Sequence, residues 1–164
     1  MLDTITRYLA GVAGGADRKA LNTILTAIGT RLSSKSLSAG GLQIKAGGSA
    51  VAKTVNTVYF VVGGKHYSLA AGDITLTTAN NISLGKYNVV CIFVNAAGTI
   101  TPTNGIEAAT AAAVTFPETP AGSVMIGYIL ITYASAFVGG TTVLDTATSV
   151  YVDVSGAFDP TILP

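Results

Sequence analysis

The sequence predicts a mainly β fold, an antiparallel β-sandwich or barrel of jelly-roll-like type, preceded by a short helical N-terminal arm. Roughly eight to ten short apolar segments follow residue 41, and glycine, proline or asparagine bounds each of them. Threonine, valine and isoleucine, which favour strands, are abundant. We therefore divide the 164 residues into a helical N-terminal arm (1–35), a Ser/Gly linker (36–41), a β-domain (42–158) and an extended C-terminal tail (159–164).

The arm carries the helical signals. Thr4 can cap a short first helix, and Asp17 can cap a second one. The apolar residues of the second helix recur at i, i+4, i+7 and i+11 and form one stripe, Leu21, Leu25, Ile28 and Leu32. This stripe packs either on the β-domain of the same chain or on a neighbouring protein, and the sequence leaves both interpretations open.

The β-domain contains two predicted hairpins. Residues 58–62 and 65–69 flank Gly63 and Gly64, which supply the positive φ angles of a tight turn. Residues 87–94 form the most apolar strand and turn at 95–98 into a second hairpin. The other expected strand segments are residues 74–77, 114–116, 124–133, 141–144 and 149–154.

Charge is scarce and unevenly placed. Only 10% of residues are charged and mean hydropathy is +0.57, which excludes an intrinsically disordered chain and indicates a surface covered by other chains or by a membrane. All nine basic residues precede residue 87. Residues 1–86 carry a net charge of +6, and residues 87–164 carry a net charge of −5. The split favours head-to-tail contacts or docking on an acidic partner; the alternative is chance placement in a fold that mixes both halves.

A membrane is the less favoured explanation for the low charge. Residues 122–140 are uncharged, but their strongly apolar part, 124–133, is only about half of the ~20 residues that a spanning helix needs. No lysine or arginine flanks this segment, and the N-terminus lacks the pattern of a signal peptide. We therefore expect burial against protein rather than lipid.

The sequence contains no recognisable catalytic or cofactor motif. One cysteine, Cys91, and one histidine, His66, are too few for an internal disulfide or a Cys/His metal cluster. A pairing of Glu107 with Glu118 in space remains open. The arm has too few basic residues, and too few aromatic residues between them, to indicate nucleic-acid binding. We expect no enzyme, no cofactor, no metal and no small-molecule substrate.

Three stretches of the chain resemble a β-rich domain of tailed-bacteriophage virion proteins: TVYFVVGGKHYSLAAGDITLT, LGKYNVVCIFVNAAGTIT and AATAAAVTFPETPAGSVMIGYILI. The resemblance covers roughly residues 42–158. It implies a virion structural component, either a capsid decoration (cement) protein or head-fibre base, or a tail-associated protein. It transfers no functional residue to a position of this chain.

The first hypothesis is a homotrimeric decoration protein that is assembled in the host bacterial cytoplasm and stabilises the outer capsid surface. Its partners are then the major capsid protein and copies of itself. The expected docking residues are basic (Arg7, Arg18, Lys19, Arg31, Lys35) or apolar (Leu21, Leu25, Ile28, Leu32). The alternative is a tail or fibre module that binds a host receptor or glycan, which the absence of long repeats disfavours.

Overall fold

The computed structural model describes residues 15–132 and 135–156. Its helix α1 spans Gly15–Leu32. Ten strands follow within the described residues: β1 (Lys35–Ser36), β2 (Gln43–Ile44), β3 (Val51–Lys53), β4 (Val58–Val62), β5 (Lys65–Leu69), β6 (Asp73–Thr75), β7 (Tyr87–Asn95), β8 (Ile100–Asn104), β9 (Ser123–Thr132) and β10 (Thr148–Asp153). The first predicted helix near Thr4 and the tail 159–164 lie outside the described residues.

The strands form three antiparallel sheets, in the orders β1–β4–β5, β2–β3–β6 and β10–β9–β7–β8. Side chains of both three-stranded sheets, such as Phe60 and Ala52, share one buried cluster with Ile92 of the four-stranded sheet. The opposite face of the four-stranded sheet packs on Val114 in the segment between β8 and β9. The predicted mainly β fold is thereby confirmed, as a sandwich-like arrangement rather than a closed barrel.

Both predicted hairpins are confirmed. β4 pairs with β5 across Gly63 and Gly64, whose φ angles are 57° and 78°. The turn between β7 and β8 places Gly98 at a φ of 79°, and the Asn95 side chain accepts a hydrogen bond from the Thr99 N–H at 3.0 Å. These positive φ values are the ones that glycine adopts without steric cost.

A bulge in β9 lets this strand serve two clusters of buried side chains. The register with β7 shifts so that Ile92 lies opposite Gly127 and Phe93 lies opposite Met125, which leaves Ile126 as the extra residue. Ile126 joins the main core, whereas Tyr128 packs in the second cluster.

Several local expectations differ from the structure. α1 begins at Gly15, two residues before the Asp17 predicted to cap it. Residues 141–144 form turns rather than a strand, because the Leu144 N–H donates to the Ser49 carbonyl at 2.9 Å and carries the Leu144 side chain into the core. Residues 114–116 contribute one bridge, between Thr115 and Ile106.

The segment 36–41, expected as a linker, packs into the β-rich part of the chain. Ser36 is fully buried in β1 and pairs with Phe60 of β4. Its carbonyl accepts a hydrogen bond from the Gly156 N–H at 2.7 Å. Gly40 is buried as well. The path from α1 into the sheets is therefore fixed by backbone pairing.

Candidate partner-docking surface

The residues predicted to dock on a partner lie on α1 and β1, apart from Arg7, which is outside the described residues. Lys19 is exposed, and Leu21 and Leu25 are half-buried. Lys35 is half-buried on β1. The remaining predicted docking residues are on α1, and the structure describes their backbone only: Arg18, Ile28, Arg31 and Leu32.

The C-terminal end of α1 is joined to the turn between β4 and β5. The Ser33 N–H donates to the Gly29 carbonyl at 2.9 Å, and the Ser33 carbonyl accepts from the Gly64 N–H at 2.8 Å. The Ser34 hydroxyl accepts from the Gly63 N–H at 3.1 Å. These bonds hold the end of the helix beside the β1–β4–β5 sheet.

That sheet has one face turned away from the core. Strand register aligns Lys35 with Val61 and Val61 with His66 in one row. The Leu37 N–H donates to the Tyr59 carbonyl at 2.7 Å, which places these two residues in the adjacent row. Lys35, Leu37, Tyr59, Val61 and His66 project from the same side of the sheet. Val61 is buried, and we call the other four residues the outer face.

The outer face exposes apolar surface. Leu37 is 43% exposed and Tyr59 is 55% exposed. On the other side of the sheet, Phe60 is buried and stacks on Tyr67 with ring centroids 5.7 Å apart. Because residues alternate along a strand, the burial of Phe60 forces Tyr59 outward. A large exposed aromatic ring next to a leucine is typical of a protein contact.

Leu37 and Tyr59 were not among the docking residues predicted from the sequence. Tyr59 lies within an apolar run that reads as a buried strand throughout. The signal that could have found it is the alternation around Val58 and Phe60, both of which are fully buried. Leu37 carries no comparable signal, since its exposure depends on how β1 pairs with β4.

Two of the basic residues predicted to dock, Lys19 and Lys35, differ from Lys45 in their ion pairing. Within the described residues, Lys45 forms an ion pair with Asp73. Lys19 and Lys35, by contrast, pair with no acid in that part of the chain. The half-buried Lys35 therefore adds a positive charge to the outer face, and the exposed Lys19 adds one to α1.

The acids of the C-terminal half have a different role. Asp153 accepts from the buried Gly40 N–H at 3.0 Å and from the Leu42 N–H at 3.1 Å. Asp145 accepts from the Gly48 N–H at 2.8 Å. Glu107 likewise accepts from the Ser83 N–H at 2.8 Å. Three of the five C-terminal acids thus bind backbone N–H groups of the basic half, so the fold mixes the two halves.

The single cysteine and the single histidine lie on different strands and differ in exposure. Cys91 is fully buried on β7, and burial raises the pKa of its thiol to about 12, so it remains protonated and poorly reactive at neutral pH. His66 is exposed on β5. Among residues 15–132 and 135–156, no group of three or more His, Cys, Asp or Glu side chains is placed to hold a metal ion.

The helix in the described part of the chain is not both long and apolar enough to cross a membrane. Of the predicted docking residues, Lys35 lies within the outer face, and Lys19 is exposed on α1. Comparison of the chain with protein-family models, with curated proteins and with solved structures found no match.

Proposed function

We propose that this chain is a non-enzymatic capsid decoration protein of a tailed bacteriophage, which binds the outer shell and reinforces the contacts between major capsid subunits. The observation that carries the proposal is the exposure of Leu37 and Tyr59 on the outer face. Two lysines accompany them, the exposed Lys19 on α1 and the half-buried Lys35 on β1, and neither pairs with an acid in the described part of the chain. The apolar groups supply the buried centre of a contact, and the lysines orient the chain on an acidic surface.

The proposal also accounts for the composition of the chain. A free domain of this size is usually more charged than 10%, whereas a chain covered by capsid subunits and by its own copies needs less surface charge. The resemblance of residues 42–158 to virion proteins favours the same assignment. On this proposal the chain forms a homotrimer, is made in the bacterial cytoplasm and resides on the capsid surface.

Binding to capsids tests the proposal directly. Purified protein is added to expanded capsids of the encoding virus that were prepared without it, and bound copies are counted after sedimentation. We expect saturation at a fixed stoichiometry and a higher temperature of capsid disruption. Absence of capsid binding, together with binding to host envelopes or glycans, would overturn the proposal in favour of a tail or fibre module.

A charge variant locates the docking surface. Lys19→Gln with Lys35→Gln should weaken capsid binding and reduce its dependence on salt, because Lys19 is exposed, Lys35 is half-exposed, and neither pairs with an acid in the described part of the chain. Lys86→Gln is the matched control, since Lys86 is exposed and without an acid partner in the described chain but lies in the turn before β7. Equal binding by the two variants would remove α1 and β1 from the contact.

A further inference from the structure

The apolar stripe of α1 has the spacing of a heptad repeat. Its members, Leu21, Leu25, Ile28 and Leu32, are separated by four, three and four residues. This alternation matches the d and a positions that face each other in helical bundles. In the single chain, however, Leu21 and Leu25 are only half-buried, and the neighbouring Ile24 is 53% exposed. The rest of the chain therefore leaves Leu21 and Leu25 incompletely covered.

The rest of the helix fits a partner with the same surface. No charged residue occurs from residue 20 to residue 30, so copies of α1 placed side by side meet without charge repulsion along this central part of the stripe. Arg18, at the a position one heptad before Leu25, and Arg31, at a g position, lie at its two ends. The polar residues Lys19, Thr23 and Thr26 lie on the opposite side of the helix and are exposed. An acidic partner, by contrast, finds no positive charge along the central part of the stripe.

The side chains along the stripe favour more than two helices. Leu25 and Leu32 occupy a positions, and Leu21 and Ile28 occupy d positions. Leucine at a with isoleucine at d, as at Leu25 and Ile28, shifts bundles toward trimers and tetramers. Ile24 widens the apolar surface at the flanking g position. A wider stripe is buried better between two neighbouring helices than against one.

We propose that α1 packs against α1 of two further copies as a parallel three-helix bundle that joins the homotrimer. The helices run parallel because closed threefold symmetry points every copy the same way. The hydrogen bonds of Ser33 and Ser34 to the β4–β5 turn then place the three β-rich parts at the C-terminal end of the bundle. The apolar residues of the arm serve the trimer, and Lys19 and Lys35 remain available for the capsid.

This inference rests on one part of the proposed function, the homotrimer. Its test uses the purified full chain without capsids. Its failure is thus distinguishable from a failure of capsid binding. Sedimentation equilibrium should give three times the chain mass of 16.5 kDa. Leu21→Asn with Leu25→Asn should raise the concentration at which the trimer dissociates by roughly two orders of magnitude or more.

Thr23→Asn with Thr26→Asn is the matched control, since it introduces the same residue on the exposed polar side of α1. It should remain trimeric. Circular dichroism of each variant reports whether the strands are still folded. A wild-type monomer or dimer overturns the proposal, as does a folded Leu21→Asn/Leu25→Asn variant that keeps the trimer.

Cross-linking gives a second test of the bundle. Unlike the asparagine variants, it does not depend on destabilising the bundle with a polar side chain. Leu21→Cys should form disulfide-linked dimers under mild oxidation, because residues at one level of a parallel bundle face each other. Thr23→Cys, on the outside, should not. Cys91 is buried and does not compete for the oxidant. Equal cross-linking at both positions, or none at position 21, would overturn the bundle.

Discussion

Asp153 links the segment that follows α1 to the edge of the large sheet. Its carboxylate accepts hydrogen bonds from the Gly40 N–H at 3.0 Å and from the Leu42 N–H at 3.1 Å. Both donor residues are buried. Replacing Asp153 by alanine therefore removes the acceptor of two backbone N–H groups that belong to buried residues.

The expected cost follows from these two donors. A buried donor that loses its acceptor costs about 1–3 kcal/mol, so Asp153→Ala should lower the free energy of unfolding by about 2–4 kcal/mol. Asp153→Asn keeps one acceptor oxygen and loses the charge, for which we expect about 1 kcal/mol. For a chain of this size, each kcal/mol corresponds to a fall in Tm of roughly 2–4 °C.

Urea unfolding followed by tyrosine fluorescence measures this effect, since the chain has seven tyrosines and no tryptophan. Asp145→Ala is the matched control. Its carboxylate accepts from one exposed N–H, that of Gly48, at 2.8 Å, and its loss should cost under about 1 kcal/mol. If Asp153→Ala and Asp145→Ala lower stability equally, the buried donors are not what makes Asp153 important.

Three further changes test packing, burial and docking. A Cβ at Gly139 would lie 2.1 Å from the Thr77 carbonyl oxygen, so Gly139→Ala should lower the free energy of unfolding in urea by about 1–3 kcal/mol. Gly47→Ala is the control and should be neutral, because a Cβ at Gly47 would lie 3.9 Å from the Asp145 carboxylate. Burial raises the pKa of Cys91 to about 12, so a disulfide reagent at pH 8 should label Cys91 in denatured protein but not in native protein. The free energy of unfolding should also fall as pH rises from about 8.5 toward 12, because the thiol keeps its proton to a higher pH in the folded chain than in the unfolded chain. Rapid native labelling would contradict this. Tyr59→Ala should change the free energy of unfolding by under about 0.5 kcal/mol yet reduce capsid binding, and unchanged binding would exclude the outer face.

The large sheet was predictable because its central strand is buried on both sides. Val89 and Cys91 face the second cluster, and Val90 and Ile92 face the main core. Such a strand reads as a continuous apolar run. The pairing of β1 with β4 was not predictable, because a two-residue strand has no periodicity, and the burial of Ser36 depends on contacts with distant parts of the chain.

The candidate site was predictable only in part. Helical spacing predicted a helix with an apolar stripe, and the structure contains that helix, α1. The helix was predictable because periodicity is a local property of the sequence. The exposure of Leu37 and Tyr59 comes instead from the alignment of two strands and from which side of the sheet meets the core. Within the sequence, Tyr59 resembles its buried neighbours. Only the fold separates an apolar side chain of the core from one offered to a partner.

The net charge of +1 conceals a difference in how the two signs are used. Asp145 and Asp153 bind backbone N–H groups within the chain, where a carboxylate strengthens a hydrogen bond that the fold requires. Lys19 and Lys35 have no acid partner in the described part of the chain. A lysine at the surface contributes little to the stability of its own chain, but its charge remains available to a second molecule. The proposal of an acidic partner follows from this difference in availability rather than from the size of the net charge.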